Sequence, residues 1–104
     1  MWFNSTYPQY RLCLFSVPNG GLRNPREAAK LVSTGMTKGI PDLLLVLGGK
    51  CFGFELKTED GVLSKDQIKL HEKWAANGNP VFVVRSVEEF QGAVGNVIKS
   101  NQFK

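Results

Sequence analysis

Gly48 and Gly49 separate an apolar run, Leu43 to Leu47, from a strand-like segment, Lys50 to Lys57. A glycine pair between two such segments signals a two-residue hairpin, because the favoured turns need left-handed backbone that glycine adopts without steric penalty. The turn then sets the register. Leu47 faces Lys50, and counting outward puts Asp42 directly opposite Glu55. Lys57, two residues beyond Glu55, lies on the same face because strand side chains alternate with period two. Two carboxylates opposed at roughly 5 Å repel each other and need a compensating positive charge. Lys57 supplies part of it, and a hard divalent cation, which prefers carboxylate oxygens, supplies more. A surface hairpin with an incidental ion pair is the plainer reading of the same residues. Leu43, Leu44 and Leu45 make the hairpin apolar on both faces, so helices are expected above and below the sheet.

The flanking segments complete an alternating pattern. Residues 1–9 carry Trp2, Phe3 and Tyr7 without clear period and read as an arm or lead-in. Tyr10 to Val17 reads as a first, mostly buried strand, ended by the turn residues Pro18, Asn19, Gly20 and Gly21. Asn24 as N-cap, Pro25 at the first helical position and Glu27 at the third open a helix that stops near Gly35. Glu27 is thus read as a cap rather than a metal ligand.

Ser64 and Gln67 form a capping-box pair for a helix running to about Asn77, with Gly78 behind it. Gln67, Leu70, His71 and Trp74 share one stripe of that helix. Leu70 and Trp74 read as core. Gln67 either reaches the carboxylates or merely caps its own helix. His71, the single histidine, reads as structural or solvated, since no second histidine or nearby cysteine suggests zinc. Pro80 to Arg85 is a short strand, parallel to Lys50–Lys57 through a β-α-β crossover. Ser86 to Glu89 caps a last amphipathic helix carrying Phe90, Ala93, Val94, Val97 and Ile98.

At 104 residues the chain suits one domain spanning residues 1–104. Lys and Arg outnumber Asp and Glu by 13 to 9, an excess that suits an anionic partner such as nucleic acid. Cys13 and Cys51 have neither zinc spacing nor a Cys-x-x-Cys pattern and read as free thiols. The N-terminal residues lack a basic and an apolar signal region, and no apolar run approaches the ~20 residues of a membrane span. A soluble, intracellular protein with no membrane partner is expected.

Asp42 following Gly39-Ile40-Pro41, then Glu55-Leu56-Lys57, Leu63-Ser64 with Gln67, Val83-Val84-Arg85-Ser86 and the earlier Pro18-Asn19-Gly20 together resemble the PD-(D/E)XK nuclease superfamily. More narrowly, the chain from about Arg11 to Ile98 resembles a stand-alone virus-type replication-repair nuclease (VRR-NUC) domain. The resemblance implies a restriction-endonuclease-like α/β fold, three layers α/β/α around a mixed sheet of about four strands. It implies a metal-dependent DNA endonuclease acting in replication, repair or recombination, in the cytoplasm of a bacterial or phage-infected cell. By the same resemblance, Asp42, Glu55 and the Leu56 carbonyl hold Mg²⁺ or Mn²⁺. Lys57 orients or deprotonates the attacking water or stabilises developing charge, and Gln67 positions water or the metal. Family members usually begin with a helix bearing a glutamate near the metal, whereas Glu27 follows the first strand.

Asn19, Arg23, Lys30, Lys38, Lys65 and Lys69 are the candidates for DNA backbone contacts, although any single lysine or arginine among them is better read as a solvated surface group. Small relatives resemble Holliday-junction resolvases, which implies a homodimer that cuts branched DNA with two sites. The alternative is a non-catalytic nucleic-acid-binding module of the same fold. A third reading, an interaction subunit with a fortuitous hairpin, requires a register that sets Asp42 opposite Leu56.

Overall fold

The computed structural model describes residues 1–18, 26, 29–30, 33–35 and 37–101. Its centre is a four-stranded mixed sheet in the order β1-β2-β3-β4, formed by β1 (Leu14–Ser16), β2 (Leu43–Leu47), β3 (Lys50–Leu56) and β4 (Val81–Val84). The first two pairings are antiparallel and the last is parallel. Helices α1 (Trp2–Thr6), α2 (Lys65–Ala76) and α3 (Val87–Asn101) complete the described elements, together with a 3₁₀ turn over Pro8–Tyr10. None of the described helices is long and apolar enough to cross a membrane.

The β2–β3 hairpin has the register that the glycines demand. Leu47 pairs with Lys50 and Leu43 with Phe54, and Gly48 and Gly49 take φ of 59° and 77°. Both positive values are what a tight type I′ turn requires. The register with Asp42 opposite Leu56 is therefore excluded. The β3–α2–β4 unit is parallel as expected, with Glu55 beside Val83 and Leu56 beside Val84.

One face of the sheet carries the main core. Phe52 and Phe54 project there from β3, meeting Leu45 and Leu47 from β2 and Val94, Val97 and Ile98 from α3. Phe54 is fully buried, stacked on Phe82 at 5.6 Å and edge-on to Phe90 at 5.4 Å. Such aromatic pairs contribute roughly 0.5–1.5 kcal/mol beyond burial. Ser86 Oγ caps α3 by accepting from the Glu89 N–H at 3.0 Å.

The N-terminal half departs from the expectation. Residues 1–9 are not a loose arm: α1 places Phe3, fully buried, in the core beside Trp2 and Tyr7. The first strand is not Tyr10–Val17 but three residues, and only Leu14 of them is buried. The reason is local. Pro8 opens a 3₁₀ turn that takes in Tyr10, and Leu12 sits at φ 75°, which no extended strand accommodates. As an edge strand β1 has only β2 to pair with, and Phe15 is left half-exposed.

Arg26, Ala29, Lys30 and Ser33 are helical, in line with the helix expected there. Its cap residues Asn24, Pro25 and Glu27, and the candidates Asn19 and Arg23, lie outside the described residues.

Candidate functional site

Glu55 follows Phe54 on β3 and so points to the other face of the sheet. Among the described residues it is the one buried charged side chain, with 2% of its surface exposed. Burying a carboxyl group is costly without partners, and this one has three neighbours.

Asp42 is the first. Pro41, fully buried, lies against Gly53 so closely that a Cβ added there would come within 2.6 Å of its ring. A side chain at position 53 would push the Pro41–Asp42 segment off the sheet. Seated this way, Asp42 ends the hairpin ladder with both backbone and side chain. Its carbonyl accepts from the Val17 N–H at 2.9 Å, and its Oδ2 accepts from the Leu56 N–H at 2.7 Å. The second bond is short and charge-assisted, and it fixes the Asp42 carboxylate over the end of β3.

Lys57 is the second neighbour. Its own N–H donates to Val84 O at 3.0 Å, which extends the parallel pairing with β4 by one step. The third is His71 on α2, whose Nε2 lies 3.3 Å from Glu55 Oε1.

These neighbours set the protonation of the site. The Glu55 pKa is raised from 4.5 to about 7, first by burial, then by a hydrogen bond to Asp42 and repulsion from the Asp42 carboxylate. The Lys57 ammonium pulls it back in part. Burial, and then the same ammonium, push the His71 pKa down. Near neutral pH the His71–Glu55 contact thus joins a partly protonated carboxyl to a neutral imidazole, and it is a hydrogen bond more than an ion pair.

Asp42 and Glu55 form a donor set that fits a divalent cation. Ionising Glu55 beside Asp42 is disfavoured, and a cation held by these two carboxylates would relieve that penalty. Among the described residues, no group of three or more His, Cys, Asp or Glu side chains is arranged to hold a metal ion.

Of the two roles open to Gln67, the structure shows the helix cap. Its Oε1 accepts from the Ser64 N–H at 2.8 Å while its own N–H donates to Ser64 Oγ at 3.1 Å, a complete capping box. With Oε1 committed to the helix start, capping is the role that the geometry supports. His71, one turn further along, makes the α2 contact to Glu55 instead. Its sequence signal was its position four residues after Gln67, on the same stripe. Arg85 also exceeds its sequence reading. Its Nη1 donates to the carbonyls of Thr58, Glu59 and Gly61 at 2.8, 3.3 and 2.7 Å, which ties down the loop after Lys57.

Of the candidate DNA contacts, Lys30, Lys38, Lys65 and Lys69 are all exposed. Lys38 and Lys69 line one cleft together with Lys73 of α2. Lys30 and Lys65 are not part of that lining.

The sequence matches no protein-family model and no curated protein. Among solved structures, one described as a VRR_NUC domain protein superposes on 84% of this chain and 68% of its own, with a TM-score of 0.69 and 21% sequence identity. The mixed four-stranded sheet with its flanking helices is thus an α/β fold shared with that VRR_NUC domain protein.

Proposed function

We propose that the chain is a single nuclease domain, a Mg²⁺- or Mn²⁺-dependent endodeoxyribonuclease that hydrolyses phosphodiester bonds. The observation that carries this reading is the meeting of Asp42, Glu55 and Lys57 on one sheet face, with Asp42 bonded to the backbone beside Glu55. Packing demands none of these three side-chain types together.

In this reading Asp42 and Glu55 hold the cation, with the Leu56 carbonyl as a third oxygen. When bound, the cation supplies Lewis-acid stabilisation of phosphate charge and acidifies water. Asp42 is held in place by the Leu56 N–H. His71 holds the Glu55 carboxyl from the α2 side and limits its rotation. Lys57 places a positive charge next to the attacked phosphate, where it orients water, accepts a proton or offsets developing charge. Arg85 holds the loop after Lys57, and Gln67 serves α2 as its cap. The exposed lysines attract the DNA backbone without reading its sequence.

Branched DNA is the proposed substrate and a homodimer the proposed working form, since paired cuts across a junction need two sites related by symmetry. A cleavage panel tests this: a synthetic four-way junction, a flap and a linear duplex, each with Mg²⁺ and with Mn²⁺. Cutting of the junction, lost in Glu55→Ala and Lys57→Ala, supports the proposal. Binding without cutting in either metal returns the chain to the alternative, a nucleic-acid-binding module with this fold.

A further inference from the structure

Beside His71, the stripe of α2 that holds Leu70 and Trp74 carries a feature that phosphate hydrolysis does not use. Leu70 and Trp74, one turn apart, form the apolar part of a cleft of about 320 Å³. Lys69 and Lys73, also one turn apart, rim it, Lys38 closes it from the loop before β2, and Asp66 is its single acid. Neither Leu70 nor Trp74 belongs to the core cluster around Phe54. Trp74 is half-buried, whereas Lys38, Lys69 and Lys73 are exposed. An indole presented beside three ammonium groups is a poor core element. It suits a ligand with a flat apolar face and flanking negative charge, and the cleft volume lies within the range of small-ligand sites.

From this arrangement we infer that the cleft seats an unpaired base of single-stranded DNA on Trp74, with neighbouring phosphates on Lys38, Lys69 and Lys73. The inference rests on the nuclease reading for its biological sense and adds to it a site for the strand left unpaired at a branch. Stacking on an aromatic face tolerates any base, and lysines that track the backbone read no sequence, so recognition is of strandedness. Charge complementarity commits the cleft to this occupant: three cations against one acid do not suit a second copy of a basic chain with net charge +4.

The test uses fluorescence in EDTA, so that no cutting is involved. Trp2 and Trp74 are the two tryptophans, and Trp2→Phe leaves Trp74 as the reporter. If that variant does not fold, the difference between wild type and Trp74→Phe isolates the same signal. Oligothymidylate should quench Trp74, and an abasic phosphodiester of equal length should not. Trp74→Ala should weaken oligothymidylate binding about tenfold, the loss of one stacked base, and Trp74→Phe should restore most of it. Lys69→Gln with Lys73→Gln should reduce the slope of log affinity against log salt by about 1.4, at ~0.7 per phosphate contact on a single strand. Equal quenching by the abasic strand or by polyglutamate, or unaltered binding by Trp74→Ala, overturns the inference. A protein that quenches as expected but cuts nothing in Mg²⁺ or Mn²⁺ sinks the catalytic reading and leaves this one standing. A protein that cuts junctions with silent Trp74 does the reverse.

Discussion

Phe54 and Glu55 are neighbours on β3, and both are buried to within 2% of complete, yet they sit in opposite worlds. Phe54 faces rings and aliphatic side chains that match it in kind. Glu55 faces a second carboxylate, an imidazole and an ammonium. One face of the strand is built to lower the free energy of folding. The other holds a carboxyl whose ionisation the fold disfavours, a form of strain that natural sheets seldom keep without use. A single strand can serve both ends because its period of two separates adjacent side chains completely.

That contrast can be broken from either side. The largest effect is expected from Phe54→Ala, at about 3–5 kcal/mol of lost stability, since it opens a cavity under two aromatic partners. Denaturant melts would show it as a shifted or absent transition. Next comes Glu55→Gln, with the opposite sign. The native carboxyl is raised to about 7 from 4.5, so the native state binds more protons than the unfolded chain between these values. Stability of the metal-free wild type therefore falls as pH rises through that window, by up to about 3 kcal/mol. Glu55→Gln is free of this loss, so its advantage should grow from pH 4.5 to 8 in EDTA and shrink when Mg²⁺ is added. A gap that stays constant with pH would mean that the carboxyl bears no such burden.

Smaller effects sharpen the polar side. Lys57→Ala should leave the melt nearly unchanged and slow junction cleavage by about 100-fold, the scale of losing one electrostatic stabiliser. His71→Ala, removing the group that steadies Glu55, should slow it by roughly 10–100-fold. Gln67→Ala should instead cost about 1 kcal/mol of stability and leave cleavage near wild type, as befits a cap. Should Gln67→Ala abolish cleavage at full stability, the assignment of α2 contacts to His71 over Gln67 is reversed.

The hairpin was legible because everything it needs is local. Gly48-Gly49 sets the turn, the turn sets the register, and the register brings Asp42 to Glu55. The capping residues Ser64, Gln67 and Ser86 were legible for the same reason, since a cap joins groups three residues apart. The N-terminal segment was not, because Phe3 joins a core cluster whose other buried members come from β1, β2, β3 and α3, far away in sequence. The site on α2 was only half legible. Helical spacing put Gln67 and His71 on one stripe, but which of them meets Glu55 depends on how the helix sits over the sheet.

Period, turn and cap chemistry alone therefore determined β2, β3 and β4, the crossover and the juxtaposed carboxylates, since each follows from groups a few bonds or one turn apart. Only the packed structure decided that Leu12 breaks the first strand, that α1 closes the core, and that His71 rather than Gln67 meets Glu55. These outcomes hang on the rotation and placement of whole elements. Such placement is fixed by the sum of many weak contacts across the chain, and no short stretch of residues contains it.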